Sequence, residues 1–243
     1  MEIKTKGIFI TGTDTGVGKT VVAAAIARYF FLKGFSVGVL KPVTSGAVEK
    51  DGSLVSEDAE LLRRASGCTA PRQITSPHVL REPIAPSEAA LREGKVIGFE
   101  LIREAYELLS LSHDLVIVEG AGGLLVPLGP GLLVADLPAR LSLPLLIVAR
   151  PDLGTVNHTL MTCECALSRH IRTLGIVING LTYNPAGAEE YVPRLISELS
   201  PAPLLGTLPR LESTDEMDLV EMLAPAFADM HIESLLGLEV KHG

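Results

Sequence analysis

The stretch ITGTDTGVGKT, residues 10–20, carries the strongest structural signal in the chain. A short apolar run leads into it, and Lys19 and Thr20 open a longer amphipathic run. Glycines let several backbone N–H groups converge on one phosphate, and a helix N-terminus adds partial positive charge there. The pattern therefore predicts a phosphate-binding loop between a strand and a helix. In such a loop Lys19 reaches the β- and γ-phosphates of a nucleotide, and the Thr20 hydroxyl holds Mg²⁺.

The spacing of this loop departs at one position from the common pattern GxxxxGK[ST]. Thr13 stands where the first glycine is expected, and Gly12 lies one residue earlier. The strand before the loop, the helix after it and the Gly18-Lys19-Thr20 triplet still favour phosphate binding over a chance glycine-rich turn. No GxGxxG follows this strand, which argues against a dinucleotide-binding fold.

Apolar and amphipathic segments alternate along the rest of the chain. Runs that are apolar at nearly every position are typical of strands covered on both faces. The predicted strands are Ile8–Thr11, Ser36–Leu40, Leu115–Glu119, Leu145–Ala149, Leu174–Asn179 and Leu204–Thr207. The predicted helices are Lys19–Lys33, Asp58–Ser66, Phe99–Ser110, Thr155–His170 and Ala186–Leu199. This alternation indicates an α/β fold: a single domain of the P-loop NTPase type over residues 1–243, with a parallel β-sheet flanked by helices on both faces.

Composition excludes several classes of protein. With 243 residues, 47% of them apolar, the chain can bury a sizeable core and is neither disordered, collagen-like nor a disulfide miniprotein. Its 21 Lys and Arg against 29 Asp and Glu give a formal net charge of −8, which argues against a nucleic-acid partner. No stretch is long and apolar enough for a membrane span or a signal segment. We therefore expect a soluble, cytoplasmic protein in which Cys68, Cys163 and Cys165 serve packing.

Two charged residues stand where predicted strands end. Glu119 precedes glycines at positions 120, 122 and 123, and Lys41 opens the stretch KPVTSG, residues 41–46. In an open parallel sheet, ligands bind outside the carboxyl ends of the strands. Glu119 then supplies the acid that a nucleotide-bound Mg²⁺ needs, and Lys41 places a second ammonium beside the phosphate that Lys19 reaches.

Asp58 and the segment from Pro71 to Pro86 are more ambiguous. Asp58 begins a helical run, so by pattern alone it is either a metal ligand or an acid that the helix dipole stabilises. Residues Pro71 to Pro86 are predicted to form a long loop, and such loops inside a compact domain tend to be functional.

In this order, the motifs resemble one family, the dethiobiotin synthetases of the biotin pathway. The resemblance runs from Gly7 to about Glu216. It is carried by the loop at 12–20, KPVxSG at 41–46, Asp58, EGAGG at 119–123, Asn157-His158 and PLLG at 203–206. Each motif is common on its own, whereas the ordered set is specific.

The resemblance implies a ligase reaction with 7,8-diaminononanoate, CO₂ or bicarbonate and ATP as substrates. One amine takes up CO₂ to form a carbamate, and MgATP phosphorylates the carbamate. The second amine then closes the ureido ring of dethiobiotin, and ADP and phosphate leave. Because the carbamate and the γ-phosphate are both anionic, Lys19, Lys41 and Mg²⁺ are expected to offset their repulsion.

The resemblance also implies individual roles, with Lys19 and Lys41 catalytic and Thr20, Asp58 and Glu119 around Mg²⁺. The residues implied to bind ATP are Gly16, Val17, Gly18, Lys19, Thr20, Val21, Asp58, Glu119, Gly120, Ala121, Gly122, Asn179, Gly180, Pro209 and Glu216. Those implied to hold the diamine are Ser45, Gly122, Asn157 and Tyr191. Within the ATP set, Asn179 is expected to bind the adenine edge through its amide, and Pro209 and Glu216 to line the rest of the base pocket.

The family works as a homodimer, and the resemblance implies that Asn157 and Tyr191 of one subunit hold the carboxylate tail of the neighbour's substrate. His158 is expected to be a packing residue. The chain departs from the family in one loop: many members carry Ser-Pro-His where this chain has Ala85-Pro86-Ser87-Glu88. We therefore assign this loop no catalytic role, although it is placed to shape the diamine pocket.

Two other functions are weighed against this one. Nucleotide-switch ATPases of the partition or septum-placement type share the strand–loop–helix unit, but they carry a lysine where this chain has Asp14. They also bind membranes or partners, whereas residues 227–243 here hold Asp229, Glu233 and Glu239 against Lys241 and lack a basic amphipathic pattern. Amide ligases of the cobalamin pathway usually add a glutaminase domain, for which no length follows residue 216.

Overall fold

Six apolar strands pair into one parallel sheet in the computed structural model, which describes residues 7–238. The strands of this part of the chain are β1 (Gly7–Gly12), β2 (Val37–Leu40), β3 (Val43–Thr44), β4 (Val48–Lys50), β5 (Ser53–Val55), β6 (His78–Val79), β7 (Leu115–Glu119), β8 (Pro127–Gly129), β9 (Leu132–Leu133), β10 (Leu145–Ala149), β11 (Thr173–Leu181) and β12 (Leu204–Pro209). The sheet order is β12-β11-β10-β1-β7-β2, so the strand that leads into the phosphate loop lies in the interior of the sheet. All six strands predicted from sequence are confirmed, with small shifts at their ends.

Helices cover both faces of this sheet, as predicted. They are α1 (Lys19–Leu32), α2 (Glu57–Ser66), α3 (Arg72–Thr75), α4 (Pro86–Arg92), α5 (Phe99–Ser112), α6 (Asp136–Leu141), α7 (Thr155–Ser168), α8 (Ala188–Leu199), α9 (Glu216–Leu223) and α10 (Ile232–Leu236), with a 3₁₀ turn at Ala224–Phe227. The crossover through α1 runs from β1 towards the β2 edge, whereas the crossover through α7 runs from β10 towards the β12 edge. Because parallel crossovers are right-handed, these opposite directions put α1 and α7 on opposite faces.

The core lies between the sheet and the helices that cover its two faces. Every residue of β1, β2, β7 and β10 is buried, which is why these segments are apolar at nearly every position. On one face α1 packs against α2 and α9, and on the other α7 packs against α8. Cys68 and Cys163 are buried and Cys165 is half-buried, and all three are free thiols.

The prediction of a continuous loop from Pro71 to Pro86 is wrong in part. The short helix α3 and the strand β6 lie within it, and Pro86 begins α4, so the Ala85–Glu88 segment is mostly helical rather than a loop. A proline suits the first turn of a helix, because its fixed φ is already helical and it lacks an N–H that would go unpaired there.

Distant backbone partners hold these short elements in place. The Lys41 N–H donates to the Thr75 carbonyl at 2.7 Å, and the Leu80 N–H donates to the Thr44 carbonyl at 2.8 Å. Elements of two to four residues show no periodicity in sequence, and their partners are some 35 residues away, so the sequence pattern does not reveal them.

Some predictions fall at the edge of what the structure describes. The single domain over residues 1–243 stays a prediction, and its ends, residues 1–6 and 239–243 with Glu239 and Lys241, lie outside the described residues. Among residues 7–238, no helix is both long enough and apolar enough to cross a membrane.

Strands β11 and β12 approach each other closely at Gly175. A Cβ added there would lie 2.7 Å from the carbonyl oxygen of Pro203 and 2.5 Å from Cγ of Leu205. That carbonyl accepts a hydrogen bond from the Ile176 N–H at 2.8 Å, so the backbone has no room to move away. We expect Gly175→Ala to lower the free energy of unfolding in urea by about 1–3 kcal/mol.

Gly129→Ala serves as the control, because a Cβ there meets nothing closer than 3.9 Å. If both variants unfold at the same urea concentration as the parent chain, the close packing of β11 on β12 contributes nothing to stability.

Candidate nucleotide and metal site

The loop between β1 and α1 has the geometry of a phosphate cradle. Gly16 and Gly18 have φ of 75° and 85°, values that residues with a Cβ rarely adopt. Gly18 also lies against Asn179, since a Cβ added to Gly18 would come within 2.2 Å of the Asn179 amide nitrogen. The loop thus needs glycine at residue 18 both for its backbone turn and for this close approach.

A cluster of opposite charges lies beside this loop. The Lys41 ammonium is 2.7 Å from an Asp58 carboxylate oxygen and 2.7 Å from Oε1 of Glu119. The Thr20 hydroxyl donates to the same Glu119 oxygen at 2.8 Å. These residues come from the start of α1, the segment after β2, the first turn of α2 and the end of β7. The structure therefore brings together four of the predicted site residues.

Burial and mutual attraction set the ionisation of this cluster. Burial raises the pKa of the Glu119 carboxyl, although Lys41 opposes the shift. Burial also acts against ionised Asp58, but Lys41, the Thr20 hydroxyl and Lys19 together outweigh it and lower the pKa of Asp58. Likewise, burial acts against charged Lys41, yet Glu119 and Asp58 hold its pKa above the usual value. Burial lowers the pKa of Lys19, so Lys19 gives up its proton more easily than Lys41.

The oxygen donors of this cluster suit Mg²⁺. Oε2 of Glu119 is buried and accepts no hydrogen bond from the described residues, so one carboxylate oxygen is left for a ligand. The Thr20 hydroxyl and the Asp58 carboxylate add hard oxygen donors, which Mg²⁺ prefers. Residues 7–238 contain no group of three or more His, Cys, Asp or Glu side chains able to hold a metal, so the bound nucleotide and water would have to complete the coordination.

The cluster opens into a cavity of about 720 Å³ at the carboxyl edge of the sheet. Of the residues predicted to bind nucleotide, metal or substrate, those that line it are Gly16, Gly18, Lys19, Thr20, Val21, Lys41, Ser45, Asp58, Glu119, Ala121, Gly122 and Glu216. In this structure the Lys19 ammonium donates to the carbonyl of Asp14 at 2.9 Å, at the rim of the loop.

The remaining predicted ATP residues do not line this cavity. The Asn179 amide donates to the Val17 carbonyl at 3.0 Å, which joins the end of β11 to the phosphate loop. Gly180 continues β11, and Pro209 pairs with Leu181 at the end of β12. Gly120 follows Glu119, and its N–H donates to the carbonyl of Ile10 at 2.9 Å.

Asn157 and Tyr191 do not line the cavity. Asn157 is exposed on α7, where its amide donates to the sulfur of Met161 at 3.4 Å, and Tyr191 is 36% exposed on α8. The structure of one chain therefore does not bring either residue to the predicted substrate site. Their proposed role depends on a partner subunit.

An apolar groove of about 400 Å³ adjoins the cavity. Its lining is Thr13, Asp14, Thr15, Gly123, Leu124, Leu125, Val126, Pro127, His158, Met161, Thr162 and Cys165. Thr15, Val126 and Pro127 line the cavity as well, so the two spaces share part of their wall. The half-buried His158, predicted to be a packing residue, belongs to this wall.

Several residues of the cavity wall were missed by sequence reasoning. They are Thr15, Val43, Thr44, Pro83, Ile84, Val126 and Pro127. Ala85 and Pro86, which the sequence analysis placed near the diamine pocket, line the cavity as well. The signal for Pro83 and Ile84 was the proline-containing segment itself, which pointed to function without naming residues. Val126 and Pro127 carry no chemical group that marks them as ligands, so nothing in the sequence pattern points to them.

Solved structures of low sequence identity share this fold. The septum site-determining protein MinD of Pyrococcus horikoshii, complexed with Mg-ADP, superposes with a TM-score of 0.61 at 16% identity and covers 97% of this chain and 100% of its own. An ATP complex of a Cyanothece McdA variant gives 0.62 at 15% identity, with 99% of each chain covered. At such identities the likeness shows the fold alone.

Sequence relatives are much closer. A family model described as an AAA domain matches residues 6–218. The ATP-dependent dethiobiotin synthetase of Bacillus licheniformis is 41% identical over 218 residues, covering 90% of this chain and 92% of its own. That of Thermodesulfovibrio yellowstonii is 38% identical and covers 96% of this chain and 99% of its own. With this identity over nearly the whole length, and with the charge cluster in place beside the phosphate loop, the chain belongs to the dethiobiotin synthetase family.

Proposed function

We propose that this chain catalyses ATP-dependent dethiobiotin synthesis around the cluster of Lys41, Glu119, Asp58 and Thr20. The observation that carries the proposal is the buried Glu119 carboxylate, which faces both Lys41 and the phosphate loop and keeps one oxygen unpaired among the described residues. This arrangement suits the activation of an anionic carboxyl group by a nucleotide. We further propose that the chain acts as one domain in the cytoplasm, which its three free cysteines support.

The proposed metal ligands are Thr20, Asp58 and Glu119. Mg²⁺ bound there would neutralise charge on the transferring phosphoryl group. Asp58 and Glu119 hold Lys41 by short ion pairs, so the Lys41 ammonium is fixed beside the phosphates. Lys41 remains protonated at neutral pH, because its two carboxylate neighbours raise its pKa.

The chemistry needs this concentration of positive charge. The carbamate oxygen attacks the γ-phosphorus of ATP, and the bond between that phosphorus and the bridging oxygen breaks to release ADP. The free amine then attacks the carbamoyl carbon, loses a proton, and expels phosphate as the ureido ring closes. In the first step two anions approach each other, and in the second an anionic phosphate leaves. Lys19 and Lys41 therefore act where negative charge accumulates.

The remaining site residues have roles that follow from their positions. The glycine-rich loop through Gly18 would bind the phosphates through its backbone N–H groups, and the Asn179 amide would hydrogen-bond the adenine. The full proposed ATP set is Gly16, Val17, Gly18, Lys19, Thr20, Val21, Asp58, Glu119, Gly120, Ala121, Gly122, Asn179, Gly180, Pro209 and Glu216. Ser45 and Gly122 line the same cavity as Lys41 and would contact the diamine near its carbamate.

The rival nucleotide-switch function is not favoured. Septum-placement and partition ATPases share this fold at identities that show the fold alone, and the phosphate loop here has Asp14 in place of their lysine. The cobalamin-pathway ligase is likewise not favoured, because relatives named dethiobiotin synthetase match over nearly the whole chain.

The reaction itself separates these functions. We expect the protein, incubated with 7,8-diaminononanoate, bicarbonate and MgATP, to release ADP and form the ureido product in equal amounts by mass spectrometry. Omitting the diamine should abolish ADP release, because no carbamate is then present to accept phosphate. ATP hydrolysis that proceeds equally well without the diamine would contradict the ligase function.

Lys41 offers the sharpest test of the site. We expect Lys41→Met to lower kcat by about 10²–10³-fold or more, because it removes the fixed cation beside the transferring phosphate. The raised pKa of Glu119 lets that carboxyl take up a proton once Lys41 is gone, so the fold should persist by circular dichroism.

The matched control is Lys50→Met on the β4–β5 hairpin. Lys50 also pairs with a carboxylate, that of Glu57 at 3.2 Å, but its side chain is 54% exposed. We expect near-normal turnover for this control. A comparable loss of kcat in both variants would contradict a catalytic role for Lys41.

We also propose that the enzyme is a homodimer with the substrate site at the subunit interface. Leu125 and Met161 in the apolar groove are 57% and 61% exposed, and Leu153 near the start of α7 is 79% exposed. A large apolar surface next to a polar site is typical of an interface. The groove shares wall residues with the cavity, so it offers the aliphatic chain of the diamine an apolar surface near α7.

Asn157 and Tyr191 then belong to the neighbour's substrate site. Both carry hydrogen-bond donors suited to a carboxylate, and both lie on helices, α7 and α8, that pack against each other. A second subunit that covers the groove would bring such donors to the end of the substrate tail.

Mixing inactive variants tests this arrangement. Asn157→Asp should block binding of the substrate carboxylate by charge repulsion, and Lys41→Met should block phosphoryl transfer in the other half of the site. In mixed dimers one site then holds both substitutions and the other holds none. We expect refolded equimolar mixtures to recover about a quarter of parental activity, as random pairing of a two-fold dimer dictates.

A mixture of Lys41→Met with Glu119→Gln is the control, since these residues belong to one subunit and no intact site can form. Equal activity in both mixtures, or a monomer by sedimentation, would contradict the shared site.

A further inference from the structure

Two buried hydroxyl groups join the segment that holds Lys41 to the helix that holds Asp58. The Thr44 hydroxyl donates to the Ser56 hydroxyl oxygen at 2.7 Å. The same Ser56 oxygen accepts the Ala59 backbone N–H at 3.1 Å, which makes Ser56 the N-cap of α2. We refer to this pair of bonds as the hydroxyl bridge. Asp58 lies in the first turn of α2, between Ser56 and Ala59 in the sequence.

The hydroxyl bridge is firmly held. Thr44 is 6% exposed and Ser56 is 3% exposed, so each hydroxyl would lose a hydrogen bond without gaining water if its partner were removed. Thr44 is itself fixed in β3, since its carbonyl accepts the Leu80 N–H at 2.8 Å. The bridge therefore ties α2 to a rigid segment rather than to a mobile loop.

Asp58 depends on such support because its side chain is partly exposed and is otherwise held by Lys41 and the Thr20 hydroxyl. It is 42% exposed and contacts Lys41 through one carboxylate oxygen. Ion pairs with an exposed partner contribute little by themselves, since solvent screens them. The orientation of the Asp58 carboxylate towards Lys41 therefore depends on where the first turn of α2 begins. The Ser56 cap fixes that starting point.

We propose that Thr44 and Ser56 are positioning residues for Asp58 and, through it, for the bound divalent cation. The proposal rests on the proposed function, in which Asp58 is a metal ligand. The Thr44 hydroxyl donates to Ser56 and also lies 3.5 Å from the Ser76 hydroxyl, so its link to α2 runs through Ser56. The bridge then sets the affinity for metal, while the phosphoryl-transfer step at saturating metal depends on Lys41 and Lys19.

Divalent-metal binding measures this directly. With a non-hydrolysable ATP analogue present, Mn²⁺ affinity by electron paramagnetic resonance should weaken about three- to tenfold in Thr44→Val and in Ser56→Ala, the range expected for loss of a cap or a buried hydrogen bond. In Ser56→Ala, whose hydroxyl lies outside the cavity lining, turnover should need correspondingly more Mg²⁺, with kcat at saturating Mg²⁺ close to that of the parent chain. Thr44→Ser keeps the hydroxyl and should restore Mn²⁺ affinity.

Thr159→Val is the matched control. Thr159 on α7 is fully buried and its hydroxyl has no partner among the described residues, so the same isosteric change removes no bond. Unchanged Mn²⁺ affinity is expected there. If Ser56→Ala fails to fold, the Mn²⁺ affinity of Thr44→Val alone tests the positioning role, because this variant leaves the Ser56 cap in place.

A double substitution separates this inference from the proposed function. Asp58→Asn should weaken Mn²⁺ binding, and adding Thr44→Val to it should weaken binding no further, because Thr44 acts through Asp58. If Asp58→Asn leaves Mn²⁺ affinity unchanged, the proposed metal site itself fails. If Asp58→Asn weakens binding while Thr44→Val and Ser56→Ala do not, only the positioning role is overturned. Additive losses in the double variant would also overturn it.

Discussion

The rest of the site depends on the buried ion pair between Lys41 and Glu119. A carboxylate with no exposure is costly unless a cation and hydrogen-bond donors face it, and here Lys41 and Thr20 do so at 2.7 and 2.8 Å. Removal of Glu119 would leave Lys41 without its buried partner, and removal of Lys41 would force Glu119 to take up a proton. This ion pair therefore links the ends of β2 and β7, and the Thr20 bond to Glu119 adds the start of α1.

Sheet topology explains why these particular strands meet. From β1 the chain runs to β2 and back through β7 on one side, and then to β10, β11 and β12 on the other. The phosphate loop thus lies where the direction of strand addition reverses, which is where open α/β sheets bind ligands. The residues proposed to bind phosphate and metal come from the β7–β2 side, whereas Asn179, proposed to bind the adenine, comes from β11. The proposed nucleotide site is therefore divided between two halves of one sheet.

The same fold serves different chemistry in its structural neighbours. Proteins named for septum placement share it at about 16% identity, so the sheet and loop do not specify the reaction. In this chain the carboxyl edge of the sheet carries Lys41, Asp14 and the groove that adjoins the cavity. An acidic chain can bind a polyanion there, because two lysines, a helix N-terminus and a bound cation outweigh the average charge locally.

Local sequence patterns were enough to predict the six sheet strands, the long helices and the phosphate loop. Burial on both faces imposes apolar runs, helices impose a period, and a tight phosphate turn requires glycine, so each leaves a local signature. The two roles left open for Asp58 could be compared only in three dimensions: it lies in the first turn of a helix and also contacts Lys41. The elements between Pro71 and Pro86, the hydroxyl bridge and the apolar groove likewise emerged only from the folded chain. They depend on contacts between residues far apart in the sequence, which no local pattern records.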